Sequence, residues 1–155
     1  MAVSKVMVVY ESKYGNTKRA AEMITEGLRE AGVTAEVAEP RAVDRKRLGE
    51  YDAIVIGSPT HMGNATFSIR RFVGGLGKLG LGGKQVAFFD CRIGPDPGPV
   101  VRKLEQRVGE KAPDLQIAVP GLSLLVVGMK GPLADGELAR CREFGKQLAA
   151  KLAGA

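Results

Sequence analysis

Three stretches of this chain gather side chains able to hold an anion and a flat polar ligand: ESKYGNT at Glu11–Thr17, GSPTHMGN at Gly57–Asn64 and DCRIGPDPG at Asp90–Gly98. The first offers the hydroxyls of Ser12, Tyr14 and Thr17, the amide of Asn16 and the backbone freedom of Gly15, with Lys13 as a nearby charge. It follows the apolar run Val6–Val9 and opens a helical pattern. Unpaired N–H groups and the positive end of a helix dipole both favour an anion there, so this is the chemistry of a phosphate cradle. An ordinary strand-to-helix turn, with Asn16 or Thr17 as N-cap, accounts for the same residues equally well. In the second stretch a rigid Pro59 sits beside Ser58, Thr60, His61, Met62, Gly63 and Asn64, which suits contact with a flat ring. The third exposes backbone amides around Cys91, Arg92, Ile93 and Gly94, next to Asp90.

The elements that must position these stretches follow from hydrophobic periodicity. Val6–Val9, Ala53–Ile56 and Gln85–Phe89 are short, nearly uninterrupted apolar runs, the pattern of strands covered on both faces. Thr34–Ala38 and Leu115–Val119 add two further strands, and Leu122–Val127 is one more extended run. Between them lie helical stripes. Residues 17–31 place Ala20, Ile24, Gly27, Leu28 and Ala31 on one face, and Gly32 closes that helix. A helix over 66–76 partly buries Phe67, Ile69, Phe72 and Val73. Pro97 or Pro99 opens another with Val101, Leu104 and Val108 inward, and 138–152 carries Leu138, Cys141, Gly145, Leu148 and Leu152. Asp44–Leu48 has room only for a brief helix. Strand–helix alternation of this kind predicts an α/β, three-layer doubly wound fold in one domain over 1–155, a parallel sheet with right-handed crossovers. In such sheets ligands bind beyond the carboxyl ends of the strands, where all three stretches fall.

The totals exclude several classes. The chain has 155 residues, 45% apolar and 26% charged, enough for one continuous core and too apolar for a disordered chain. No apolar run reaches the roughly 20 residues a membrane helix needs, and the run at Val6–Val9 is too short for a secretory leader, so a cytoplasmic protein without membrane association is expected. Two cysteines, Cys91 and Cys141, make neither a disulfide framework nor a zinc site. A net charge of +6 raises nucleic acid as a partner. The basic residues are scattered and interrupted by acids, however, and there is no Trp, so nucleic-acid binding is not expected.

Other patterns resolve against function. Gly75–Gly80 spells G-x-G-x-x-G but follows a helix and precedes a strand, the reverse of a dinucleotide-binding context. His61 is the only histidine, which leaves no second imidazole for a metal site. Cys141 lies on an apolar stripe and reads as core. Cys91 is followed by Arg92, whose cation would favour a thiolate, although a backbone role at the ligand edge is preferred to a nucleophilic one. Asp90 and Asp96 are too isolated to form an acid/base pair.

The motifs SKYGNT after the first strand and GSPTHMGN after the third resemble the flavodoxin-like superfamily. The second is especially similar to the tryptophan-repressor-binding-protein type of flavin quinone reductase. The resemblance runs from Lys5 to Leu152 and implies a five-stranded parallel sheet in the order 2-1-3-4-5, with FMN as cofactor. Carried across, Ser12, Lys13, Tyr14, Gly15, Asn16 and Thr17 would hold the phosphate. Ser58 to Asn64 and Asp90 to Gly94 would form the two loops beside the isoalloxazine ring. Flavodoxins usually flank that ring with aromatics and are acidic; here the flanking candidates are His61, Met62 and Ile93, and the chain is basic. The resemblance implies a carrier that passes electrons between redox partner proteins, as monomer or dimer. Alternatives are an FMN-dependent NAD(P)H:quinone oxidoreductase, or an interaction module with weak or no flavin binding.

Overall fold

The computed structural model describes residues 3–154. Strand β1 (Lys5–Tyr10) leads into helix α1 (Asn16–Glu30), β2 (Thr34–Ala38), β3 (Ala53–Pro59), α2 (Phe67–Gly75), β4 (Gln85–Arg92), α3 (Pro99–Lys111), β5 (Gln116–Ile117), β6 (Leu122–Leu125) and α4 (Glu137–Ala153). All named strand pairs are parallel, in the order β2-β1-β3-β4-β5, with β6 also on β4.

Alternate residues of each strand feed two separate cores, the consequence of a period of two in a sheet covered on both faces. Val6, Val8, Ala53 and Val55 pack with Ile24, Leu28, Cys141 and Leu148 of α1 and α4. Met7, Val9, Ile54 and Ile56 pack with Ile69, Phe72, Leu104 and Val108 of α2 and α3. On the first face α1 and α4 meet at two glycines: a Cβ on Gly27 would collide with the Arg142 carbonyl, and one on Gly145 with the Ile24 carbonyl.

Three departures from the expected elements have physical causes. Strand β3 continues through Gly57 to Pro59 instead of stopping at Ile56, because Gly57 leaves the space in which the ring of its neighbour Phe89 lies. The fifth position of the sheet is shared. β5 has two residues and pairs with Gln85–Val86, while β6 pairs with Phe89–Arg92. Pro120, which lacks an N–H, and Gly121, pressed against the Val101 side chain, separate them. The third departure is Phe67, the first residue of α2, which is 69% exposed and not part of the core. The expected helix at Asp44–Leu48 is a 3-10 turn over Arg45–Glu50, capped by Asp44.

Candidate functional site

The carboxyl ends of β1, β3, β4 and β6 open into one cavity of about 450 Å³, within the roughly 300–1,000 Å³ of small-molecule and cofactor sites. Ser12, Lys13, Tyr14, Asn16 and Thr17 line one side; Pro59, Thr60, His61 and Met62 a second; Cys91, Arg92 and Ile93 a third. Residues from all three sequence stretches therefore share one space.

The first wall is the N-terminus of α1. Gly15 takes the N-cap position at φ 92°, a left-handed conformation that favours glycine, and no side chain caps the helix. Thr17 is buried and Asn16 half-buried, so the cap expected from either does not form. Ser12 Oγ accepts the Gly15 N–H at 3.0 Å. The first intrahelical bond is from the Arg19 N–H to the Gly15 carbonyl, which leaves the N–H groups of Asn16, Thr17 and Lys18 ahead of it. An anion at this point would meet free donors and the positive end of a 15-residue helix.

The second wall is a tight turn in which His61 and Asn64 exchange backbone hydrogen bonds at 2.8 and 3.0 Å. Met62, at φ 51°, stands fully exposed at its tip. Beneath it the Thr60 backbone donates to the Cys91 carbonyl at 3.0 Å, tying the second wall to the third. The Thr60 hydroxyl is buried at the cavity and has no hydrogen-bond partner among the described residues, a costly state that a polar ligand would relieve.

The third wall hangs on Ser123. Its hydroxyl donates to Asp90 Oδ1 at 2.6 Å and accepts from Arg92 Nε at 3.0 Å and the Gly98 N–H at 2.8 Å. Arg92 also donates to the Gly94 carbonyl at 2.6 Å. Asp90 Oδ2 accepts the Val100 and Val101 N–H groups at the start of α3. Burial raises the Asp90 carboxyl above its ordinary range, against the pull of its hydrogen bonds from Ser123, Val101 and Val100. Burial likewise pushes the Cys91 thiol up to about 12, so Arg92 does not make it a thiolate. Cys91 and Cys141 are both free and buried.

Some expected residues do not reach the cavity. Ser58 is fully buried and its hydroxyl accepts the Thr66 N–H at 3.0 Å, holding the entry to α2. Asp90 is fully buried beneath the third wall. Gly63 sits at the far side of its turn, its carbonyl accepting from Lys103 Nζ at 2.6 Å, and the Asn64 side chain accepts the Ala65 N–H. Gly15 and Gly94 do not line the cavity; Gly15 shapes the start of α1 and the Gly94 carbonyl accepts from Arg92. Conversely, Val126 and Met129, from the segment after β6, line the cavity, and Ser123 organises its third wall. The sequence signal was the apolar run Leu122–Val127 ending at Gly128; it is the pairing of β6 with β4 that brings its carboxyl end beside the third stretch.

The residues present fit a phosphate-bearing planar cofactor: an uncapped helix N-terminus at one end, a buried hydroxyl without a partner, and an apolar rim. Met62, Ile93 and Met129 are 103%, 54% and 70% exposed, so the rim holds flexible or branched side chains where an aromatic pair was absent from the sequence.

Similarity to known proteins agrees with this geometry. A flavodoxin from Clostridium saccharobutylicum is 33% identical over 86 residues, 55% of this chain and 54% of the relative. An NAD(P)H dehydrogenase (quinone) from Cupriavidus metallidurans is 35% identical over 101 residues, 52% of this chain and 51% of the relative. The chain thus spans about half the length of these curated relatives. Among solved structures, oxidised flavodoxin 2 from Bacillus cereus superposes with a TM-score of 0.80 at 26% identity, covering 96% of this chain and 99% of that one. An archaeal flavodoxin gives 0.79 at 25% identity with the same coverages. A family model described as a flavodoxin domain matches residues 7–122, most of the chain, and the protein belongs to that family.

Proposed function

We propose that the protein binds FMN in the 450 Å³ cavity and carries electrons between redox partner proteins. The observation that carries this reading is the convergence of the three loops on one cavity whose phosphate end is an uncapped helix N-terminus. The loop from Ser12 to Thr17 would receive the phosphate through backbone N–H groups and the hydroxyls of Ser12 and Thr17. Thr60, His61 and Met62 would face the ring from one side, and Cys91, Arg92 and Ile93 from the other. Bound flavin supplies one- and two-electron chemistry. The chain's own part is to orient the ring, exclude water from part of it and set the charge around it. Arg92 is positioned for the last role, its guanidinium fixed by Ser123 and the Gly94 carbonyl at the cavity wall. His61 lies exposed at the opposite wall.

A second reading, an FMN-dependent NAD(P)H:quinone oxidoreductase, has the support of relatives named NAD(P)H dehydrogenase (quinone) at 33–35% identity. The two part on what nicotinamide does. A carrier loaded with FMN shows little NADH or NADPH oxidation with a quinone as sole acceptor, yet is reduced by a flavin reductase and reoxidised by a second protein. Rapid steady-state turnover with NAD(P)H and quinone alone would favour the enzyme.

A further inference from the structure

Basic residues that are scattered along the chain are brought together on the α2–α3 face. Arg41 and Arg45 from the segment after β2, Arg71 and Lys78 on and just after α2, and Arg107 and Lys111 one turn apart on α3 line an open groove of about 600 Å³. Among the described residues no carboxylate lines it. Only Arg41 has an ion-pair partner, Glu39 at 3.1 Å; among the described residues Arg45, Arg71, Lys78, Arg107 and Lys111 have none. On the α1–α4 face, by contrast, Arg142 and Lys146 are paired with Glu26 and Glu30. Uncompensated like charge in one groove works against folding and raises the local concentration of anions.

The groove is built as well as charged. Arg107 Nε donates to the Arg70 carbonyl at 2.8 Å, and its guanidinium occupies space that any side chain at Gly74 would fill. Arg45 lies over the ring of the buried Phe72 at 5.2 Å. Gly75 faces open space, which keeps the groove floor clear.

We propose that this groove docks a carboxylate-rich segment of a protein partner. Guanidinium groups pair with carboxylates in bidentate fashion, and an interface of opposite charge speeds encounter and fixes register. The groove is also bounded. Through Pro40, Arg41 and Ser68 it adjoins a hollow that contains Glu11 and Glu39 and reaches Ser12 at the cofactor cavity. Those two acids end the cationic track, so it fits a short acidic segment and not a continuing phosphate backbone. No exposed aromatic lines it for stacking with bases. That the partner is a redox protein rests on the electron-carrier reading; the groove's preference for carboxylates does not.

The test is a fluorescence-anisotropy titration of the full chain with a labelled oligoglutamate peptide at low salt, with and without FMN. Lys78→Glu/Lys111→Glu, both exposed positions, is expected to weaken peptide binding by about tenfold or more. Gly75→Glu, which sets a carboxylate in open space, is expected to weaken it in the same direction. Arg19→Glu/Lys151→Glu makes the same change in net charge elsewhere and is expected to leave most of the affinity. Equal losses in the two double variants, or none in either, would overturn the groove. Tighter binding of a single-stranded oligonucleotide of matching charge, lost in the groove variant, would overturn the acidic-protein assignment. Parallel FMN titrations keep the readings apart: loss of FMN binding alone contradicts the cofactor site and not the groove.

Discussion

Ser123 donates its hydroxyl proton to Asp90 Oδ1 at 2.6 Å, and through this pair β6, β4 and the start of α3 are held in one arrangement. Neither residue lines the cavity, yet together they place Arg92 and Cys91, which do. Asp90 is therefore a positioning residue. Its carboxyl is raised by burial, so the folded state binds its proton more tightly than the unfolded chain. The sign follows: Asp90 adds stability below its unfolded value of about 3.9 and loses that contribution as pH rises through the elevated folded value. Asp90→Asn, with one acceptor replaced by a donor beside the α3 N–H groups, is expected to cost about 1–3 kcal/mol at neutral pH. The gap from wild type should widen as the pH falls towards 4, measured by urea denaturation across pH. A gap that narrows in acid would mean that the hydrogen bonds outweigh burial at this carboxyl.

Thr60 separates ligand binding from folding. Its buried hydroxyl has no partner among the described residues, so Thr60→Val is expected to stabilise the apoprotein or leave it unchanged. The same substitution should weaken FMN affinity by about 1 kcal/mol if the hydroxyl serves the ligand. Thermal melts without flavin and fluorescence titrations with it give the two signs. Destabilised apoprotein with unchanged affinity would remove Thr60 from the site.

Gly57 tests the reason β3 runs on to the site. Gly57→Ala forces a methyl group into the Phe89 ring and is expected to destabilise by about 1–3 kcal/mol. Gly57→Ala/Phe89→Leu should recover part of the loss, since the smaller side chain vacates the contact. Urea denaturation of the pair checks this, and full tolerance of the single change would contradict the packing described.

Cys91 tests the chemistry of the third wall. With its thiol pushed up to about 12 and 4% exposure, it should react with a disulfide reagent only as fast as the protein opens, at any pH from 6 to 9. Rapid native-state labelling at neutral pH would indicate a reactive thiolate instead.

Much of this arrangement was legible in residue types. The runs Val6–Val9 and Ala53–Ile56 announced central parallel strands because a strand buried on both faces has no polar alternation to mislead. The polar stretches at the strand ends were legible as the walls of one cavity because their positions and their composition agreed. Cavity lining follows for most of their residues, whereas Ser58 and Asp90 turned inward: a polar residue in a glycine- and proline-rich loop serves the loop's own backbone as readily as a ligand. For Ser123 and Met129 the run Leu122–Val127 marked a strand but not their roles, which depend on β6 lying beside β4. The basic groove was hidden for the same reason, its cations being dispersed from Arg41 to Lys111 and gathered only by helix packing.

In the proposed FMN complex the N-terminus of α1 receives the phosphate. The most direct test is a paired fluorescence titration of the apoprotein with FMN and with riboflavin, which lacks that phosphate. Saturable one-to-one binding of FMN is expected, with riboflavin weaker by about tenfold or more, as loss of charge-assisted hydrogen bonds of about 1.5–3 kcal/mol requires. Equal affinities would contradict the phosphate cradle, and no binding of either would contradict the cofactor site itself.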